Sequence, residues 1–311
     1  MTYWMMKLSN IFLICCLMIT VAMNTGCSNK KSFDPDVEYV NKGTLNIYAD
    51  ESYRVLVDEL IQSYENVYPG SDITPTYTSD ADLLAAMLND KTRMVITGRT
   101  LTKQEIEAIT KVNDLEPKQY VIGKEAIAVI TSINNADSIF NLDEFIRSRA
   151  QGYRGMYSGT SFVFNKQNTD MIAQLLGYQN NNFTNLFSLD NTDTLVTYIA
   201  ANPKAIGFMS FAELSDTDDP AVAALLKTNK ILAVSKADSS GAAIVTELSQ
   251  STLATNKYPL LRNVTVIKGN TSELLGTGFV NFLYRSKASR IMLKAGLIPE
   301  KMTERQIQVI E

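Results

Sequence analysis

The stretch EAIAVITS, Glu125 to Ser132, decides the fold. Its apolar run is continuous and rich in β-branched residues, the pattern of a buried strand. Upstream, strands alternate with helices. TLNIYA, Thr44 to Ala49, is rich in strand formers; SYRVLVDELIQSYENVYPG then carries Val55, Leu56, Leu60, Ile61 and Tyr64 as a helical stripe that stops near Pro69-Gly70. DITPTYT reads as a second strand, SDADLLAAMLND as a capped helix, RMVIT as a third strand and LTKQEIEAITKVND as a further helix. In that helix Thr102 and Glu105 have capping-box spacing. Three strand–helix units in succession imply a mostly parallel sheet with helices on both faces, an α/β, doubly wound arrangement. EAIAVITS is then the natural place for the chain to cross into a second domain. Downstream, NNADSIFNLDEFI, NPKAIGFMSFAEL and NKILAVSK again mix helix and strand, YPLLRNVTVIKGN reads as a returning strand, and LLGTGFVNFLYRSKASRIMLKAGLIPEKM as two helices. No internal repeat is found.

At the N-terminus, IFLICCLMITVAM, Ile11 to Met23, is too short for a comfortable membrane span and suits the core of an export signal. Gly26-Cys27 follows, and NTGC resembles the lipobox at which bacterial lipoproteins are cleaved and lipidated, although Asn24 stands where an aliphatic residue is usual. The expectation is a leader over 1–26, lipid on Cys27 and a polar tether over 27–43; the alternatives are an uncleaved anchor or plain secretory cleavage. Each of these readings makes the chain exported. Roughly 270 residues follow the tether, more than one core usually serves, so two domains are expected.

Cys15, Cys16 and Cys27 are the only cysteines, so a cleaved chain holds no disulfide framework. The 311 residues include no histidine, which removes the commonest general base, the commonest zinc ligand and any Ser-His triad. A serine nucleophile at Ser158 would need Lys166, Lys124 or a carboxylate as its base, and nothing places one there. The chain is therefore read as a non-enzyme without cofactor or metal. The run DTDD, Asp216 to Asp219, is read as a solvated loop rather than a cation site. With 29 basic against 33 acidic residues, net charge −4, the chain is a poor candidate for nucleic acid. A small anion is still admissible, because local donors set the field in a cleft.

The stretch YRGMYSGTSF, Tyr153 to Phe162, offers such donors. Ser158, Gly159 and Thr160 precede FVFNKQNTDMIAQLLG, which reads as a helix whose start would present backbone N–H groups and hydroxyls to an oxyanion. Gly159 would let the backbone approach closely, and Arg154 would add a planar fork of donors. The plainer alternative makes Ser158 or Thr160 an ordinary cap and pairs Arg154 with a surface carboxylate. Two other strand-to-helix junctions, at Ser52 and at Thr78-Ser79-Asp80, would face the same way, at the carboxyl ends of their strands. Simple capping is the alternative at each.

Several of these segments, taken in order, resemble one family. YPLLRNVTV with GFVNFLYRSKASRIMLKAGLIP, NPKAIGFMSF, ITGRTLTKQE, VIGKEAIAVITSINN and RGMYSGT are similar to segments of the phosphate-binding proteins of ABC transporters, the PstS-like periplasmic binding proteins. The resemblance runs from about Thr44 over almost all of the remaining chain. It implies two α/β lobes joined by a two-strand hinge, the type II binding-protein fold, with residues 44–124 plus 258–311 in one lobe and 125–257 in the other. It also implies a monomeric, lipid-anchored receptor on the periplasmic face of a bacterial membrane. That receptor captures phosphate or a related tetrahedral oxyanion and delivers it to an ABC permease of the inner membrane.

By resemblance, Ser79 falls where the family places a ligand serine, and RGMYSGT matches its anion loop. Arg99 stands where some members carry an aspartate that accepts the ligand's proton. The resemblance leaves two roles for this region: either Asp50 or Glu51 accepts that proton, or Arg99 adds a second positive fork. A salt bridge from Arg99 to Glu105 or Glu107 is the structural alternative. The acidic Asp50-Glu51-Ser52 replaces a Gly/Ser-rich turn usual in relatives, and the segment before RGMYSGT is shorter than theirs. The second functional reading is a sensor or adhesion lipoprotein that keeps the fold with an altered ligand.

Overall fold

β1 (Lys42–Asp50) buries Leu45, Ile47 and Ala49 while Asn46 faces solvent, the period-two pattern of a strand. The structure, a computed structural model, describes residues 39–148, 153–169, 172, 185–269 and 274–301. The leader, Cys27 and most of the tether lie outside the described residues. All that follows concerns Glu38–Glu311, which contacts group as one unit.

A short 3-10 turn, Glu51–Tyr53, leads from β1 into α1 (Arg54–Val67). There Leu56, Leu60, Ile61 and Tyr64 are buried as the stripe requires, whereas Val55 is 77% exposed and lies off it. β2 (Gly70–Thr78), α2 (Asp80–Leu88), β3 (Met94–Thr97) and α3 (Lys103–Asn113) continue the alternation. β1 pairs in parallel with both β2 and β3. Pro75 is tolerated because β2 is the sheet's edge strand.

β4 (Lys118–Ser132) is longer than the apolar stretch alone announces. Its first half pairs antiparallel with β12 (Leu261–Lys268) and β13 (Ile298–Pro299), and its second half with β8 (Ala205–Ser210) and β9 (Asn229–Ile231). One sheet path therefore runs β2-β1-β3-β12-β4-β8-β6-β7, with β6 (Ser161–Asn165) and β7 (Leu186–Leu189) parallel to each other. A smaller sheet joins β5 (Ile139–Asn141), β10 (Ala233–Ala237) and β11 (Ala243–Thr246). Helices α4 (Leu142–Arg147), α5 (Thr192–Ala201), α6 (Pro220–Thr228) and α7 (Gln250–Ala254) accompany this half, and α8 (Leu274–Leu283) and α9 (Ser286–Lys294) return to the first.

The buried apolar side chains fall on either side of β4. One cluster joins Leu45, Ile47, Leu60 and Tyr64 to Val264, Val266, Phe279 and Leu283. Another gathers Phe140, Phe145, Phe162 and Phe208 around β4 from Ala126 onward, with aromatic rings in edge and tilted contact. Tyr258 and Leu260 belong to this second cluster, and the Tyr258 hydroxyl donates to Ile127 O at 2.9 Å.

One expected element is of the wrong kind. The helix expected directly after Thr160 is instead β6, with Phe162, Val163 and Phe164 buried between β7 and β8. A short aromatic and β-branched run fits a central strand, and that packing overrides the helix start suggested by Ser and Thr. A 3-10 turn, Lys166–Asn168, follows β6.

Candidate functional site

Parallel strands β1, β2 and β3 end at one level, with Asp50 opposite Thr78 and Ala49 opposite Ile96. Their junctions to the following helices thus share the sheet edge where open α/β sheets bind ligands. At the first, Asp50 is 3% exposed and accepts from the N–H and hydroxyl of Ser52 at 2.9 and 2.8 Å. Glu51 turns to Arg54, which donates to its two oxygens at 2.7 and 2.8 Å. At the second, Ser79 caps α2, and its hydroxyl donates to the Asp82 carboxylate at 2.9 Å, beside that of Thr78 at 3.1 Å.

At the third junction the expected capping box is present, and Glu105 also takes a bidentate pair from Arg99, both contacts at 2.9 Å. Burial works against the Glu105 charge, but hydrogen bonds from Arg99 and Thr102 outweigh it and hold the carboxyl below its usual range. The salt-bridge alternative for Arg99 is the arrangement present.

Arg262 occupies the floor between these junctions and the second half of the molecule. It lies on β12 directly opposite Glu125 of β4, and its Nε donates to Glu125 Oε2 at 2.7 Å. Both side chains are almost fully buried, 3% and 1% exposed. Glu125 Oε2 also accepts from the Tyr53 hydroxyl at 2.6 Å, and Oε1 from the Ser210 hydroxyl. Arg262 Nη2 reaches Ser52 Oγ at 3.3 Å, and its guanidinium lies over the Tyr53 ring at 4.9 Å.

Burial would strip charge from Arg262, but Glu125, Tyr53 and Asp50 outweigh it and keep the guanidinium protonated. Burial, with Glu125 and Asp50 nearby, pushes the Tyr53 phenol well above its usual value despite Arg262, so it stays a donor. Gly98 is required here, because a Cβ would stand 2.6 Å from Arg262 Nη1 and 2.7 Å from Tyr53 Oη. Gly98 to Thr102 and Leu261 to Asn263 line a groove that opens from Arg262 to solvent.

From the second half, the Lys166–Asn168 turn at the end of β6 packs against Glu51–Tyr53. Asn165 donates to Thr192 Oγ1 at 2.7 Å, and Thr192 donates to Glu213 Oε2 at 2.6 Å. Burial raises the Glu213 carboxyl, with Glu125 adding to the rise and bonds from Thr192 and Asn168 opposing it. Asn168 is 1% exposed and its Oδ1 has no partner among the described residues. Lys166 pairs with Asp190.

The arrangement corrects the reading of YRGMYSGTSF. Ser158, Gly159 and Thr160 precede the first residue of β6, so they lie at its amino end, opposite Ala205 at the start of β8. The carboxyl end of β6 is at Asn165, about 16 Å away at strand rise. Ser158 N donates to Gly155 O and Thr160 N to Tyr157 O, and Gly159 has φ +78°, so the glycine serves a tight turn. Arg154 is exposed on the same turn. Neither a helix start nor the shared ligand edge brings these four residues to Ser52, Ser79 or Arg99. In the DTDD run, Asp219 accepts from Ala221 N at 2.8 Å as the cap of α6, and among the described residues no cluster of metal-ligating side chains occurs.

Tyr53, Glu125, Asn168, Ser210 and Arg262 are the residues that the sequence reading passes over. Of these, Glu125 and Arg262 leave a trace, as a charge at the start of the apolar run EAIAVIT and a charge within LLRNVTV.

The family model described as a PBP superfamily domain matches residues 38–287. The chain belongs to the PBP superfamily. Among curated proteins no sequence matches. Among solved structures, this PBP superfamily chain is similar to a putative phosphate ABC transporter substrate-binding protein with bound phosphate from Clostridium perfringens. The TM-score is 0.63 at 16% identity, over 83% of this chain and 100% of that one. An ABC-type phosphate transport receptor from Vibrio cholerae gives 0.63 at 14%, covering 82% and 99%. PstS from Borrelia burgdorferi gives 0.55 at 16%, covering 83% and 99%. The fold is thus that of PstS-like binding proteins.

Proposed function

We propose that this chain is the exported, lipid-anchored receptor of an ABC transporter, a monomer that captures phosphate or a related oxyanion between two lobes. The lobes are the halves on either side of β4 and β12, which serve as the hinge. The observation that carries this reading is that the Glu51–Tyr53 turn, which lies against the buried Arg262, packs on the Lys166–Asn168 turn of the other half. Turns at the carboxyl ends of strands offer N–H groups and hydroxyls to an anion, and a fixed guanidinium supplies the charge. In this reading Arg262 takes the part expected of Arg154, Ser52 is the nearest hydroxyl, and Ser79 and Arg99 flank the mouth. Glu51 is engaged by Arg54, which leaves Asp50 as the acceptor for a ligand proton. An acceptor there favours a protonated phosphate over sulfate, because sulfate would bring its full charge against the buried carboxylate with no proton to share.

Calorimetric titration with phosphate, sulfate, molybdate and an organic phosphate tests this. Saturable heat from phosphate, with weaker competition by sulfate near neutral pH, is expected. Heat from none of the four would reject oxyanion capture. That outcome selects the second reading, a sensor or adhesion lipoprotein with an altered ligand, which the prior engagement of Arg262 by Glu125 favours.

A further inference from the structure

Glu125 sits where a bridging ligand would sit. Its carboxylate collects Tyr53, which follows β1 in the first half, Ser210, which ends β8 in the second, and Arg262 from the returning hinge strand. Tyr53 belongs to the first apolar cluster, Ser210 ends the strand whose Ile206 and Phe208 belong to the second, Arg262 lies on β12, and the carboxylate that joins them is 1% exposed. In a two-lobed receptor, closure is normally favoured by a ligand that contacts both lobes in the closed form and only one in the open form. Here a side chain makes those contacts. It is tethered, so it loses no translational freedom on binding, and its effective concentration exceeds that of a dilute free anion.

We propose that the Glu125 carboxylate is a built-in anion that holds the two halves together at the cleft floor without ligand. Its seat on Arg262, Tyr53 and Ser210 is therefore a latent site for a small carboxylate. Gly98 supports this assignment. It lets the sheet pack against Arg262 Nη1 and Tyr53 Oη, which fixes the donors around the carboxylate instead of leaving them free to turn toward the groove. An anion arriving from solvent meets Arg262 already neutralised, and gains the full guanidinium only by displacing Glu125.

This inference rests on the two-lobe reading above but not on phosphate as the ligand. Its test is Glu125→Ala in the full chain, with acetate as the probe, since acetate matches the group removed. The variant is expected to melt roughly 10 °C below the wild type, because Arg262 is left buried without its partner. Acetate should restore about half of that loss or more, in a saturable way, while the wild type and Glu125→Gln gain nothing from acetate. An acetate response equal in variant and wild type overturns the proposal.

If Glu125→Ala does not fold, small-angle X-ray scattering of Glu125→Gln and Ser210→Ala without added anion decides. Each should show a larger radius of gyration than the wild type, and unchanged radii overturn the proposal. Phosphate titration of the wild type separates the two claims. A silent titration alongside acetate rescue removes phosphate and keeps the latch. Phosphate binding accompanied by compaction of the wild type keeps the receptor and removes the latch.

Discussion

Two arginines divide the molecule's logic between them. Arg154 stands beside a Ser-Gly-Thr run and has the look of an anion clamp in the sequence, yet it is exposed on a turn at the amino end of β6. Arg262 stands in an apolar strand with no donor-rich run around it, yet it is buried beside the carboxyl ends of β1 and β3, paired with Glu125 and near Ser52. The lesson is directional. In an open α/β sheet a donor-rich turn gains a ligand role only at the carboxyl ends of the strands, so the same residue types at the other end serve the turn itself.

The largest effect that would break this contrast is expected at Arg262. Replacing it with Ala leaves Glu125 buried and unpaired, at a cost of about 3–5 kcal/mol, and should also remove oxyanion binding. Chemical denaturation and calorimetry read the two effects. An Arg262→Ala variant as stable as the wild type would dissolve the distinction between the two arginines. Gly98→Ala comes next, because its Cβ would press on Arg262 Nη1 and Tyr53 Oη; a loss of ~1–3 kcal/mol is expected from overpacking. An unchanged melting temperature would show that the guanidinium is not held against the strand.

How much of this was readable follows from the range of each interaction. The alternation from β1 to α3 and the Thr102–Glu105 capping box are local, set by residues within a turn or a strand of one another, and they stand out in the sequence. The long crossover strand is readable for the same reason. SFVFN is not, because five residues following cap-forming hydroxyls suit either a helix or a central strand, and only β7 and β8 decide. The Arg262–Glu125 pair joins residues 137 apart, so no local pattern announces it. The acids of the first loop raised a real question about anion binding. Part of the answer is that Glu51 turns to Arg54 and Asp50 to the turn's own N–H, contacts the sequence alone left open.

A smaller effect separates Arg99 from Arg262. The Glu105 carboxyl is held below its usual range when folded, so its stabilising contribution is present above its unfolded pKa and is lost as pH falls through the folded value. Arg99→Ala should therefore narrow the stability gap between neutral and acid pH by a modest amount, read from melts across that range. An identical pH profile would show that the Arg99 pair carries no weight. Smallest of all is Arg154→Ala, expected to stay within about 0.5 kcal/mol of the wild type and to leave anion binding unchanged. A marked loss of binding would restore the clamp that the sequence suggested.

The central claim, that the ligand edge lies around Arg262 and not at the Ser158–Thr160 turn, is tested most directly with a heavy tetrahedral oxyanion. Crystals soaked in tungstate and measured for anomalous scattering should show a peak between Ser52 and the Lys166–Asn168 turn, beside Arg262. A peak against Arg154 and the Ser158–Thr160 turn, with nothing at the carboxyl ends of β1 and β6, would contradict the account.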